Sequence, residues 1–172
     1  MRALVFIGSE RVNSYTAALG RAIGDALGSA GMAPETVHAG GPEAADPVGL
    51  LDRIARADAV VLVSPVYHGG YSALLKAVLD RLPGDAFADK PVAVAANGSG
   101  PRTGNVVCDQ LRTVARAMGA WVVPTQTAGC PDDFRTVGGA PVGPGDELAE
   151  RCELIAGELL RLGTAFRTPA GV

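Results

Sequence analysis

Short apolar runs alternate with longer amphipathic segments along this chain, and this alternation restricts the possible folds more than any other feature. Four apolar runs, at residues 3–7, 59–63, 92–96 and 121–125, are each five residues long. Runs of this length between turn-forming residues favour buried strands. A weaker run at residues 35–39 predicts one more strand, so the sequence predicts five in all.

Between these runs, apolar residues recur every three or four positions, which is typical of helices that pack one face on a core. The predicted helices cover about residues 14–30, 48–57, 74–82, 107–118 and 148–162. Strands that alternate with helices form a parallel sheet with helices on both faces. For five strands, we expect the doubly wound α/β order 2-1-3-4-5.

The remaining segments are rich in glycine and proline or lie at the end of the chain. Residues 40–46 and 128–145 are predicted to be surface loops, and the tail from about Thr164 is predicted to fray. A chain of 172 residues is long enough to bury a core without disulfides, so residues 1–172 are expected to form a single domain.

The charge balance and the first residues exclude some classes of partner. The net charge is −3 and charged residues make up 19% of the chain, so no basic excess is present to bind nucleic acid. The first apolar run stops at Gly8, which is too early for a signal peptide or a membrane span. We therefore expect a cytoplasmic protein with neither nucleic acid nor membrane as a partner.

The cysteines and histidines do not form a metal-binding motif. The three cysteines are Cys108, Cys130 and Cys152, and none lies in a Cys-x-x-Cys pair. The two histidines, His38 and His68, are distant from them in sequence. A zinc site needs tighter clustering. No metal is expected, and the thiols are interpreted as small apolar residues.

In a doubly wound sheet, ligands bind beyond the carboxyl ends of the strands, where the strand order reverses. The first loop at that edge carries the hydroxyls of Ser9, Ser14 and Thr16 and the guanidinium of Arg11, just before a predicted helix. A helix N-terminus with such donors favours a phosphate. The alternative is simple capping of the helix by Ser14 or Asn13.

The loop after the third strand reads Ser-Pro-Val-Tyr-His-Gly-Gly-Tyr-Ser. Pro65 restricts the turn, and Gly69 and Gly70 let a flat ligand approach the backbone. Tyr67 offers a flat contact. The alternative is an ordinary connection in which Ser72 caps the next helix.

The loop after the fourth strand begins with Asn97, Gly98, Ser99 and Gly100. It contains Gly-x-Gly, but its spacing and its position after the fourth strand do not match a dinucleotide-binding motif. It is interpreted as a polar loop beside a ring system, or else as a generic glycine loop. All three loops are expected at one edge of the sheet, which favours a shared ligand site.

At these loops the sequence resembles the NAD(P)H-dependent FMN reductase family. The family's Gly-Ser-x-Arg-x-x-Ser segment after the first strand stands here at residues 8–14, and its Ser/Thr-Pro-x-Tyr segment at residues 64–67. Residues 71–76 with Asp80 resemble the helix that follows in the family, and residues 82–83 and 132–134 are similar to the branch that supplies reduced FMN to sulfonate monooxygenases. A His-Gly-Gly sequence replaces the commoner Asn-Gly-Ser at residues 68–70.

The resemblance implies a flavodoxin-like three-layer sandwich that binds FMN. It implies hydride transfer from NADPH or NADH to the flavin N5, with no catalytic side chain because the two cofactors carry the chemistry. The residues implied to bind the FMN phosphate are Ser9, Arg11, Ser14, Tyr15 and Thr16. Those implied to contact the ring are Pro65, Val66, Tyr67, His68 and Gly69, with Asn97, Gly98 and Ser99 on its other side.

The fate of the electrons is left open by the sequence. The resemblance implies a small-molecule electron acceptor or an FMN-dependent monooxygenase as partner, and a homodimer or homotetramer. One alternative is a quinone or azo reductase that keeps FMN tightly bound. Others are a flavodoxin-like electron carrier without NAD(P)H activity and a binding domain that has lost the flavin. The small net charge disfavours a carrier, which needs a strongly charged docking face.

Overall fold

A five-stranded parallel sheet with the order β2-β1-β3-β4-β5 forms the centre of the computed structural model, which describes residues 1–167. The strands are β1 (Arg2–Ile7), β2 (Ala33–His38), β3 (Ala59–Pro65), β4 (Pro91–Asn97) and β5 (Trp121–Gly129). The helices are α1 (Tyr15–Ser29), α2 (Pro42–Ala45), α3 (Pro47–Arg56), α4 (Ala73–Leu79), α5 (Thr103–Ala117) and α6 (Asp146–Arg167). The predicted order of the strands is confirmed.

Helices cover both faces of the sheet, as the alternating pattern predicted. Successive residues of a strand point to opposite faces. Leu4 and Phe6 of β1 therefore pack with α3, α4 and α5, whereas Val5 and Ile7 pack with α1 and α6. The central strand β3 is buried along its whole length, which explains its uninterrupted apolar sequence. The structure is a three-layer α/β sandwich of the flavodoxin-like type.

The largest difference from the sequence prediction lies in residues 128–145, which are not a simple surface loop. β5 continues to Gly129, a 3₁₀ turn covers Pro131–Asp133, and the antiparallel strands β6 (Phe134–Val137) and β7 (Ala140–Pro144) follow. The two strands are joined by Gly138 and Gly139, with φ angles of 59° and 81°. Two glycines at positive φ form the tight turn that a two-residue hairpin needs, so the prediction of a loop was wrong here.

Two smaller differences concern helices. The predicted loop at residues 40–46 contains the one-turn helix α2, with Pro42 at its start. At the other end of the chain, α6 continues past Thr164, where the sequence predicted fraying, to Arg167. The ring of Phe166 packs against that of Trp121 with their centroids 5.8 Å apart, which holds this last turn against the sheet. The rest of the predicted tail, residues 168–172, lies outside the described residues.

Candidate functional site

The loops after β1, β3 and β4 meet at the carboxyl edge of the sheet and surround a cavity of about 610 Å³. The start of the loop after β1 is tied to β3, because the Gly8 amide donates to the carbonyl of Val63 over 2.7 Å. The cavity is lined by Ser9, Arg11, Asn13, Ser14, Tyr15, Thr16, Pro65, Val66, Tyr67, Asn97, Gly98, Ser99, Gly138, Gly139, Ala140 and Pro141. All the predicted site residues except His68 and Gly69 are therefore brought together.

The loop after β1 places hydroxyl groups around the N-terminus of α1. Ser14 is the N-cap, and its Oγ accepts a hydrogen bond from the Ala17 amide at 3.1 Å and donates one to the Ser9 Oγ at 3.0 Å. Ser14 therefore both caps α1 and lines the cavity. Thr16 is buried in the first turn, whereas Arg11 is exposed at the cavity. These donors at a helix N-terminus suit an anion such as a phosphate.

The loop after β3 is rigid on its sheet side and forms a tight turn at its tip. The Oγ of Ser64 accepts a hydrogen bond from the Ser72 amide at 2.9 Å, within a buried network. Tyr67 and Gly70 exchange two backbone hydrogen bonds of 2.9 Å, so His68 and Gly69 form a two-residue turn. Their φ angles are 50° and 77°. Neither residue is among those that line the cavity, so the contact predicted between them and a ring stays a prediction.

The loop after β4 closes the opposite side of the cavity. The Val66 amide donates to the carbonyl of Asn97 over 2.9 Å, which ties this loop to the loop after β3. Gly98 has no room for a side chain, since a Cβ atom there would lie 1.9 Å from the Thr103 Oγ1. The Oδ1 atom of Asn97 is buried and lacks a hydrogen-bond partner among the described residues. That atom lies beside Gly129 of β5, while Asn97 as a residue is part of the cavity wall.

The cavity has two lining elements that the sequence interpretation missed as ligand contacts. One is Asn13, which was considered only as a helix cap. The other is the tip of the β6–β7 hairpin, residues 138–141. A partial signal for the second was present, because the Gly-Gly pair follows Thr136 and Val137, which favour strands, and Gly-Gly is typical of a two-residue hairpin. The position of that hairpin beside the cavity, however, has no signature in the local sequence.

Comparison with known proteins identifies the family. The family model of the NADPH-dependent FMN reductases matches residues 1–133, which include every predicted site residue. The chain belongs to the NADPH-dependent FMN reductase family. Among curated proteins, this family member is similar to the FMN-dependent NADPH-azoreductase of Staphylococcus aureus (strain USA300), with 32% identity over 150 residues. That alignment covers 78% of this chain and 79% of the azoreductase.

Solved structures support the fold of this FMN reductase family member. An oxidoreductase from Corynebacterium diphtheriae superposes with a TM-score of 0.82 at 23% identity, over 95% of this chain and 97% of that one. The apo form of an NADH:FMN oxidoreductase gives a TM-score of 0.78 at 24% identity, over 98% of this chain and 92% of that one. At these identities, the comparison establishes the flavodoxin-like fold alone.

The residues of the cavity fit FMN in both chemistry and space. The volume lies within the range of roughly 300–1,000 Å³ that is usual for small-molecule sites. The donors around the N-terminus of α1 lie in one part of the wall, and Pro65, Val66 and Tyr67 lie in another. A phosphate monoester joined to a polar flat ring has complementary groups for each of these features.

The described part of the chain offers little support for a metal site, a membrane-spanning helix or a reactive thiol at Cys108 or Cys152. Within residues 1–167, no group of three or more His, Cys, Asp or Glu residues is placed to hold a metal ion. In the same range, no helix is both long and apolar enough to cross a bilayer. Burial raises the pKa of the Cys108 and Cys152 thiols to about 12, which keeps them protonated and unreactive near neutral pH.

Proposed function

We propose that this family member is an NAD(P)H-dependent FMN reductase whose FMN lies in the cavity at the carboxyl edge of the sheet. One observation carries the proposal: the donor-rich loop at the N-terminus of α1 and the loops after β3 and β4 line the same cavity. Family membership supplies the expected cofactors, FMN with NADPH or NADH.

In this proposal, the loop after β1 binds the phosphate of FMN. The hydroxyls of Ser9, Ser14 and Thr16 and the amides of the first turn of α1 donate hydrogen bonds, and Arg11 adds a charged donor. Tyr15, the first residue of α1, also lines the cavity at the phosphate end. A charge-assisted hydrogen bond to a phosphate contributes about 1.5–3 kcal/mol, so this end accounts for much of the affinity.

The loops after β3 and β4 hold the ring between them. Pro65, Val66 and Tyr67 give it an apolar and aromatic surface, and Gly98 leaves the backbone close to its other side. Asn97 lines this part of the wall and offers its side-chain amide to the polar edge of the ring. FMN, when bound, supplies the N5 atom that accepts hydride from the nicotinamide. The work of the side chains is alignment and exclusion of water.

For the final acceptor, we propose a small molecule. The support is the 32% identity to an FMN-dependent NADPH-azoreductase, together with a net charge of only −3, which gives a weak field for steering a charged protein partner. Delivery of reduced FMN to a monooxygenase, including a sulfonate monooxygenase, is the second candidate. It is favoured by the sequence similarity at residues 82–83 and 132–134. We expect a cytoplasmic homodimer or homotetramer, which light scattering tests.

The proposed function is tested by titrating the apoprotein with FMN and then mixing the complex anaerobically with NADPH or NADH. We expect flavin fluorescence to be quenched on binding and the 450 nm absorbance to bleach within seconds after mixing. A protein that binds FMN but does not bleach with either nicotinamide is an electron carrier, which contradicts the proposal. A protein that does not bind FMN is a domain that has lost the flavin.

The two candidate acceptors are separated by dialysis of the FMN complex and by turnover. FMN that stays bound through dialysis, with steady reduction of an azo dye or a quinone, supports a small-molecule acceptor. FMN that is lost on dialysis, with turnover of free FMN as a substrate, supports delivery to a monooxygenase. The same samples show whether NADPH or NADH gives the larger kcat/KM.

A further inference from the structure

The β6–β7 hairpin, residues 134–144, is fixed at its base next to the phosphate-binding loop. The ring of Phe134, the first residue of β6, packs against the ring of Tyr15, the first residue of α1, with centroids 5.4 Å apart. Phe134 is buried. The Asp133 carboxylate accepts a hydrogen bond from the Cys130 amide at 2.7 Å. The backbone carbonyl of Asp133 accepts another from the Gly145 amide at 2.7 Å. Both ends of the hairpin are therefore held in place.

The tip of the same hairpin lies in the cavity wall together with Arg11 and residues 13–16. β7 packs along α1, the helix whose N-terminus carries the phosphate donors. The tip is therefore on the phosphate side of the cavity, where it adds a wall that the sheet itself does not provide. Gly138 and Gly139 form the turn, and Ala140 and Pro141 are the first residues that return from it.

We propose that this hairpin selects FMN over FAD by closing the space beyond the phosphate. The inference rests on the proposed function, since it assumes that the phosphate of a flavin occupies the loop after β1. The phosphate of FMN is a terminal monoester and ends at these donors. The corresponding phosphate of FAD continues into an adenosine monophosphate group, which must leave the cavity where the hairpin tip stands.

The strand register provides a clean way to test this role. Val137 pairs with Ala140, and Thr136 pairs with Pro141 in the next rung. Deletion of Val137 and Ala140 joins the Gly-Gly turn to the next pair, and Pro141→Gly in the same variant supplies the N–H that the closing pair of a two-residue turn needs. This shortens the hairpin by one rung, about 3.4 Å. A second variant, Pro141→Gly, removes one ring from the wall without changing the length.

The experiment measures the dissociation constants of FMN, FAD and riboflavin by flavin fluorescence for the wild type and both variants. We expect the wild type to bind FMN roughly 100-fold more tightly than FAD, about 2.7 kcal/mol. The shortened hairpin should reduce this ratio at least 10-fold, mainly through tighter binding of FAD. Pro141→Gly should reduce it less. Riboflavin, which has no phosphate, should bind all three proteins alike.

The control variant is Val142→Thr, because Val142 lies on the hairpin but is 62% exposed and is not part of the cavity wall. Val142→Thr should keep the wild-type ratio between the dissociation constants of FAD and FMN. Far-UV circular dichroism and the Tm show whether each variant is folded. If the shortened variant does not fold, the FMN to FAD ratio of Pro141→Gly tests the inference instead. An unchanged FMN to FAD ratio in folded variants overturns the inference, as does equal binding of both flavins by the wild type. Failure of the wild type to bind FMN at all instead rejects the proposed function.

Discussion

The Ser72 hydroxyl donates a hydrogen bond to the carbonyl of Gly8 at 2.7 Å and so joins the loop after β3 to the loop after β1. The same Oγ accepts a hydrogen bond from the Leu75 amide at 3.1 Å and caps α4. Ser72 is buried, and it does not line the cavity. One side chain thus connects the proposed phosphate end to the proposed ring end without touching a ligand.

We predict that Ser72→Ala lowers the free energy of unfolding by about 2 kcal/mol, because both the cap and the buried bond to Gly8 are lost. Urea unfolding monitored by circular dichroism measures the loss. Ser29→Ala, at an exposed position on the last turn of α1, is the matched control and should change stability by less than about 0.5 kcal/mol. Similar values for the two variants would show that the Ser72 bonds contribute little.

Arg11 gives the sharpest test of the phosphate end, since it lines the cavity but is exposed and contributes little to packing. We predict that Arg11→Ala raises the Kd for FMN roughly 10-fold, the loss of one charge-assisted contact, and leaves the Kd for riboflavin unchanged. Arg11→Lys should fall between, because it keeps the charge without the guanidinium geometry. Fluorescence titration gives all the values.

Arg161→Ala serves as the charge-matched control, since Arg161 is exposed on α6 outside the cavity wall. It should bind FMN as the wild type does. The difference between Arg11→Ala and the wild type should also shrink as salt is raised, because ions screen an exposed charge. Equal loss of FMN and riboflavin affinity in Arg11→Ala would place Arg11 away from the phosphate.

The sheet and most of the cavity could be predicted from the sequence because they follow from topology. Once β1, β3 and β4 are parallel neighbours, their carboxyl ends must meet, and polar residues after each strand must come together. The position of the hairpin tip could not be predicted this way. It depends on the contact between Tyr15 and Phe134, which are far apart in sequence, and no local pattern specifies that contact.

Which residues form the turn after β3 could not be predicted from the sequence, for a related reason. The double glycine at residues 69–70 was interpreted as a place where a flat ligand approaches the backbone. In the structure, the turn is formed by His68 and Gly69 instead, and the Gly69 carbonyl accepts a hydrogen bond from the Gln110 side chain at 2.9 Å. The register of this turn depends on the bond to α5, so the composition of the loop alone did not reveal which residues face the cavity.

The buried thiols predict how stability depends on alkaline pH. Burial raises the pKa of Cys108 and Cys152 from 9.0 to about 12 in the folded protein. Below pH 9 the thiols are protonated in both states, and their full contribution to stability is present. As the pH rises from 9 toward 12, the unfolded thiols ionise first, so stability falls by about 1.4 kcal/mol per thiol per pH unit.

Urea unfolding under reducing conditions between pH 8 and pH 10.5 measures this slope. The double variant Cys108→Ala and Cys152→Ala should be less stable at pH 8, because two buried side chains are shortened, but its stability should fall less steeply above pH 9. A slope equal to that of the wild type would show that other groups dominate alkaline unfolding. Thiol reagents should label Cys108 and Cys152 of the wild type at pH 8 only after denaturant is added.

His68 has a φ angle of 50°, in the left-handed region that asparagine and glycine occupy more readily. The family's commoner Asn-Gly-Ser sequence suits this turn better than His-Gly-Gly. We predict that His68→Asn raises the free energy of unfolding by about 0.5 kcal/mol, whereas Gly69→Ala, at a φ of 77°, lowers it by about 1 kcal/mol. Because His68 is not part of the cavity wall, His68→Asn should also leave the Kd for FMN within about twofold of the wild type. A larger change in FMN affinity would show that the imidazole contacts the ring, as the resemblance to the family implies.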